Sequence, residues 1–136
     1  MTPDELATTH ARAFATTRGW SASEFGALLA SPGTILVGTP TAFVLGRVIV
    51  DEAEILTLAA DPAHQRQGLA RVALAGFEAK ASAAGARTIF LEVAEDNDAA
   101  KALYACAGYV RIGRRPRYYT TPTGNPSAAL ILQKLL

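Results

Sequence analysis

A change of hydrophobic period after residue 60 constrains the fold of this chain more than any other feature. Up to that point the apolar residues come in three short runs, 35–37, 42–50 and 54–60. They are divided by Gly38-Thr39-Pro40-Thr41 and by the polar pair Asp51-Glu52. Short apolar runs between turn residues predict strands, and connections this tight predict an antiparallel meander. From 67 to 84 the composition shifts to Ala, Leu, Arg, Glu and Lys, with Leu69, Val72, Ala73, Gly76 and Phe77 along one side. That pattern predicts a helix, ended by Gly85. A strand over 88–94, a helix over 97–107 closed by Gly108, and strands over 109–115 and 128–135 follow.

Two helices are predicted ahead of the meander. Over 2–17, Leu6, His10, Ala13 and Phe14 fall on one face at helical spacing. Ser21-Ala22-Ser23-Glu24 reads as a capping box, and the helix behind it turns Phe25, Leu28 and Leu29 inward before Ser31-Pro32-Gly33 stops it. The order α-α-β-β-β-α-β-α-β-β buries its apolar faces as a mixed central sheet flanked by helices, an α/β (α+β) architecture. A length of 136 residues suits one domain, 1–136, around one core.

Composition narrows the function classes. Thirteen basic against twelve acidic side chains leave a net charge of +1, without the basic excess of a dedicated nucleic-acid binder. The single cysteine, Cys106, permits no intrachain disulfide and fits a reducing compartment. It is read as a small packed hydrophobe. The N-terminus lacks a basic-then-apolar leader, and no apolar run approaches the ~20 residues that span a bilayer. A cytoplasmic protein is expected, with no membrane partner. His10 and His64 have no metal-ligand spacing with other His, Cys or acidic residues, so no metal site is predicted and both are read as structural or surface residues.

Several residues are candidates for chemistry. Gln65-Arg66-Gln67-Gly68-Leu69-Ala70 stands between a strand and a helix. A helix N-terminus offers free N–H groups and the positive end of a dipole to a phosphate. Gly68 removes the Cβ that would keep backbone from ligand, and Arg66 and Arg71 add charge. The six residues alone fit an ordinary strand-to-helix loop better; they form neither a Walker loop nor a dinucleotide fingerprint. Glu92 shares a strand face with Phe90 and Ala94, as a solvated residue or as a partly buried general base. Glu95 and Asp96 are nearby alternatives. Tyr104 is a core aromatic or a proton donor. Arg111, Arg114, Arg115 and Arg117 cluster near Tyr118 and Tyr119, as a solvated surface or the wall of a substrate groove.

Taken in order, Asp61-Pro62-x-x-Gln65-Arg66-Gln67-Gly68-Leu69-Ala70-Arg71, Leu91-Glu92-Val93, Asn97 and Ala102-Leu103-Tyr104-x-x-x-Gly108-Tyr109 resemble the GNAT acetyltransferase superfamily. The likeness covers nearly all of the second half of the chain. It is closest to the branch that acetylates the N-terminal alanine of a small-subunit ribosomal protein. His10-Ala11-Arg12-Ala13-Phe14 with Trp20-Ser21 and Phe25, the acidic Asp51-Glu52-Ala53-Glu54-Ile55 and Arg114-Arg115-x-Arg117-Tyr118-Tyr119 carry that closer likeness.

The resemblance implies the GNAT fold and acetyl-CoA as cofactor, with CoA as product. Leu58, Ala59 and Ala60 would offer backbone groups to the pantetheine arm where the sheet splays. Arg66, Gln67, Gly68, Leu69, Ala70 and Arg71 would cradle the pyrophosphate, and Asn97 would hydrogen-bond the pantetheine. Glu92 matches the family's general base and Tyr104 its general acid. Trp20, Tyr118 and Tyr119 would line the site for a peptide N-terminus. An α-amine has a pKa of about 8, so a base is needed to free it for attack on the thioester.

Three departures stand out. The family's first strand is expected to be missing, because Met1 leads almost directly into a helix. Ala70 replaces a second glycine, and Ser127 stands where an Asp is common. A monomer or weak dimer without nucleic acid is expected. The competing functions are a GNAT enzyme for another amine (a small metabolite, an antibiotic or a lysine side chain) and a non-catalytic acyl-CoA-binding module.

Overall fold

The computed structural model describes residues 1–14, 20–64, 68–120 and 126–136, with 117–120 and 126–127 described by backbone only. The elements are α1 (Pro3–Ala13), α2 (Ala22–Ala30), β1 (Thr34–Thr39), β2 (Ala42–Ile49), β3 (Glu52–Ala60), a 3-10 turn (Pro62–His64), α3 (Leu69–Ala83), β4 (Thr88–Ala94), α4 (Asp98–Cys106), β5 (Val110–Thr120) and β6 (Pro126–Leu135). This is the expected order, and α1 is the first element, with no strand ahead of it among the described residues. Both leading helices begin with a full capping box, Thr2 with Glu5 and Ser21 with Glu24, which satisfies two orphan N–H groups at each start.

The six strands form one sheet in the order β1-β2-β3-β4-β6-β5. All neighbours are antiparallel except β3 and β4. Helices cover both faces. On one, Leu74, Phe77 and Ala81 of α3 and Tyr104 of α4 pack on Val44, Ala53, Ile55, Ile89, Leu91, Val93, Leu130 and Leu132. On the other, Leu6 of α1 and Phe25 of α2 pack on Phe43, Leu45 and Ala59. α1 and α2 cover only this part of their face. Further along it, Phe90 and Ile131 are half-buried, and Leu135 and Val110 are exposed.

Four local expectations change. The β2–β3 turn is Val50-Asp51, because Ile49 pairs with Glu52; Val50 takes a left-handed φ of 59°. Val72 is 71% exposed and Leu74 takes its place inward, since the buried face of α3 is set by its approach to β1 and β2. Cys106 is exposed on the last turn of α4, away from the apolar face formed by Ala100, Leu103 and Tyr104. β5 runs past Arg115 through Pro116 to Thr120. Proline is tolerated there because β5 is an edge strand, and its register shifts between Arg115 and Tyr119.

The feature that matters most for a site is an irregularity in β3. Leu45 pairs with Thr57 but Gly46 pairs with Ile55, so Leu56 is an extra residue. A bulge of this kind reverses the faces beyond it. Accordingly Ala53 and Ile55 belong to the α3 face, whereas Ala59 packs under α1 and α2 and Leu58 points back toward α3. Pairing between β3 and β4 runs only from Glu52–Thr88 to Ile55–Leu91. Beyond the bulge the two strands part.

Candidate active site

The parting of β3 and β4 opens a slot in the middle of the sheet. β3 keeps β2 as a partner up to Ala60, and β4 keeps β6 up to Ala94. Along Leu56–Ala60, alternate residues therefore direct N–H and C=O into the slot without a strand to receive them. Leu58, Ala59 and Ala60, which the family resemblance implies as pantetheine contacts, lie on this stretch. Because β3 and β4 are parallel, their carboxyl ends lie together at the open end. α3 and α4 both start there, after β3 and β4 respectively. The carboxyl ends of parallel strands, where neighbouring helices begin, are the usual ligand crevice of α/β sheets.

The helix starts suit an anion. Gly68 is the residue before α3, with φ 74° and ψ 8° and no side-chain cap. Among the described residues, a Cβ at Gly68 would meet nothing within 4 Å. Arg71 is exposed and has no ion pair among the described residues. Leu69 and Ala70 form the first turn. Arg66 and Gln67, together with Gln65, lie outside the described residues. Asn97 caps α4, its Oδ1 accepting from the N–H of Ala100 at 3.2 Å. Its amide N–H₂ makes no hydrogen bond among the described residues.

Glu92 lies on β4 just beyond the last β3–β4 pair. The alternation of β4 sends Ile89, Leu91 and Val93 to the α3 face and Phe90, Glu92 and Ala94 to the other, as the sequence period predicted. Glu92 is 26% exposed, and its Oε1 lies 3.2 Å from Nη2 of Arg115. The pair forms because β6 lies between β4 and β5: Ala94 faces Ala129, and Ala129 faces Arg115. The sequence named Arg115 only as one of an arginine cluster; the partner depends on strand order, which local pattern does not carry. Arg114 turns to the opposite face and grips Glu95 through two contacts of 2.6 and 3.3 Å, which pins the turn before Asn97. This bond holds the Glu95 carboxyl below its usual range, so Glu95 is engaged as an ion-pair partner.

Tyr104 is only 4% exposed and belongs to the α3-face core, its ring edge-on to Tyr109 at 5.4 Å. Glu92 and Tyr104 thus stand on opposite faces of the sheet. Groups that both of them serve must pass through the slot. Tyr109 donates to Glu78 Oε2 at 2.9 Å, and Lys134 lies 3.0 Å from the same oxygen. Burial, then the Glu78 charge and hydrogen bond, push the Tyr109 hydroxyl well above its ordinary value. It is held protonated as a structural donor.

Of the acceptor-side candidates, Trp20 is half-buried in an aromatic cluster. Its ring stacks on His10 at 5.0 Å and tilts against Phe25 at 5.5 Å, and its backbone N–H donates to Nδ1 of His10 at 3.2 Å. His10 is a buried structural residue, as expected. Tyr118 and Tyr119 lie on the backbone of β5, with Tyr119 opposite Ser127; their side chains fall outside the described residues. No group of three or more metal-ligating side chains occurs among the described residues.

A bulged, split sheet thus brings together two helix starts at the mouth of the slot and a carboxylate at its edge. The profile of the acetyltransferase (GNAT) family matches residues 4–109, and the chain belongs to that family. It is 37% identical over 91 residues to the ribosomal protein bS18-alanine N-acetyltransferase of Haemophilus ducreyi, across 67% of this chain and 63% of that protein. It is 38% identical over 109 residues to the N-alpha-acetyltransferase RimI of Mycobacterium tuberculosis, across 74% of this chain and 67% of that one. The match to the Haemophilus ducreyi protein thus spans a little under two thirds of its length. The crystal structure of the ribosomal-protein-S18-alanine N-acetyltransferase of Escherichia coli superposes with a TM-score of 0.87 and 30% identity, over 98% of this chain and 86% of that one.

Proposed function

We propose that this protein is an acetyl-CoA-dependent N-acetyltransferase whose acceptor is the N-terminal alanine of a small-subunit ribosomal protein. The observation that carries the proposal is the slot between β3 and β4 with Glu92 at its edge. The relatives named for bS18-alanine acetylation support this acceptor over other amines. Acetyl-CoA supplies the acetyl group as a thioester. The backbone of Leu58–Ala60 binds the pantetheine amides, Asn97 adds a side-chain donor, and the α3 start with Arg66 to Arg71 holds the pyrophosphate.

The acceptor lies on the part of the sheet that α1 and α2 leave uncovered, beside Glu92, with Trp20, Tyr118 and Tyr119 around it. Glu92 takes a proton from the α-amine, directly or through one water. The nitrogen lone pair then attacks the thioester carbonyl, and a backbone N–H near Leu58 stabilises the oxyanion. Tyr104 donates its hydroxyl proton to the departing thiolate as the C–S bond breaks, the second proton on nitrogen leaves through water as the amide forms, and Glu92 and Tyr104 then recover their starting states by exchange with solvent. No covalent enzyme intermediate is required, so Cys106, exposed at the end of α4, has no nucleophilic part in it. The same proposal makes the protein a cytoplasmic enzyme, a monomer or weak dimer, that meets no nucleic acid directly.

The test is a panel of amines scored by released CoA: an alanine-initiated peptide with the bS18 N-terminal sequence, free lysine, polyamines and an aminoglycoside. The peptide is expected to turn over with the highest kcat/KM. A small amine that turns over faster would transfer the function to another acceptor class.

A further inference from the structure

We propose that Arg12 is a positioning residue for the acyl donor, acting through Asp61 to fix the 3-10 turn Pro62–His64 that follows β3. The proposal rests on the acyl-CoA function above and concerns a residue of α1, the helix on the acceptor side.

Asp61 is the only buried carboxylate among the described residues, at 5% exposure. All four of its polar groups are engaged. Its N–H donates to the carbonyl of Thr41 at 2.8 Å, and its carbonyl accepts from the N–H of His64 at 2.9 Å. Oδ1 accepts from the N–H of Ala63 at 3.0 Å, and Oδ2 accepts from Nη1 of Arg12 at 2.9 Å. One residue therefore joins the end of β3, the β1–β2 turn, the 3-10 turn Pro62–His64 and α1. The Ala63 N–H, and after it Arg12, hold its carboxyl below the usual carboxylate range. A second clip, from the Thr9 hydroxyl to the Pro40 carbonyl, ties α1 to the same end of the sheet.

In chain order the junction stands between β3, assigned above to the pantetheine arm, and the described start of α3, Gly68 to Arg71, assigned to the pyrophosphate. Without Arg12, a buried carboxylate oxygen loses its partner, and such groups are costly unless they move or recruit water. The Arg12 side chain is 62% exposed, so water can reach the vacated position. Arg12 and Asp61 belong to neither apolar core cluster. The disturbance therefore falls on the 3-10 turn rather than on the sheet. The part of the donor it would misplace is the pyrophosphate, while the thioester end, held by β3, keeps its seat.

The experiment compares acetyl-CoA with acetyl-pantetheine, which carries the same thioester but no pyrophosphate, in Arg12→Gln and Arg12→Lys variants. Arg12→Gln is expected to raise KM for acetyl-CoA roughly three- to tenfold with kcat within about twofold. It should leave kcat/KM for acetyl-pantetheine unchanged, and Arg12→Lys should restore part of the KM. An unchanged KM for acetyl-CoA, or an equal loss with both donors, would overturn the proposal, the latter by showing a general structural defect. Calorimetry with CoA alone separates this inference from the acceptor assignment. Weaker binding by Arg12→Gln than by the parent supports it even if no acceptor in the panel turns over. A parent protein that does not bind CoA removes both.

Discussion

In the proposed mechanism Glu92 carries the heaviest chemical demand, and its setting suits the task. It sits where β3 and β4 part, on the face that α1 and α2 leave open, with Arg115 as counter-charge. Replacing it by Gln keeps the size and removes the base. Glu92→Gln should lower kcat by about 10²- to 10⁴-fold, read as CoA release, with CoA affinity by calorimetry retained. A variant as fast as the parent would remove Glu92 from the chemistry. Tyr104→Phe keeps the ring against Tyr109 and removes only the hydroxyl; a drop in kcat of roughly 10- to 100-fold is expected if it serves as the acid. The face of Glu92 was legible from the period of two along β4. Its partner was not, because Arg115 reaches it across β6, and nothing local in the sequence says that the last strand inserts between β4 and β5.

Among the elements, β3 decides whether there is a slot at all. Its extra residue, Leu56, sits inside an apolar run with no Gly or Pro to mark it, so the bulge was invisible in sequence although the splay was implied by the family resemblance. Gly46 lies on β2 opposite that irregularity. A Cβ there would meet the carbonyl oxygen of Glu54 at 2.4 Å and the Phe77 ring at 2.5 Å. The backbone oxygen cannot yield as a side chain would. Gly46→Ala should therefore destabilise the fold by about 1–3 kcal/mol in urea unfolding. The helix starts were more readable. The Ser21 capping box follows from Ser21 and Glu24 alone and is present with contacts of 3.1 and 3.2 Å. Ser21→Ala should cost about 1 kcal/mol in the same assay.

At the scale of the whole molecule, the order of elements was written in the hydrophobic periods, whereas the sheet order and the split were set by tertiary packing. The same packing fixes the pH window of stability. Asp61 and Glu95 have folded values below the ordinary carboxylate range, so the stability they confer is present above that range and lost as pH falls through their lowered values. Tyr109 has its folded value raised, so its contribution is present below the ordinary tyrosine value of about 10 and lost as pH rises beyond it. The urea midpoint should be flat between roughly pH 5 and 9 and fall on both sides. Tyr109→Phe should flatten the alkaline limb, and an unchanged limb would assign it to other groups.

The proposed function as a whole rests on one transfer, from a thioester to an α-amine. Intact-mass spectrometry of ribosomal protein bS18 with a free N-terminal alanine, incubated with the protein and acetyl-CoA, tests it most directly. A single added acetyl group is expected, placed on the N-terminal alanine by fragmentation and absent when Glu92→Gln replaces the parent. An unmodified bS18, under conditions in which the parent protein acetylates a different amine, would contradict it.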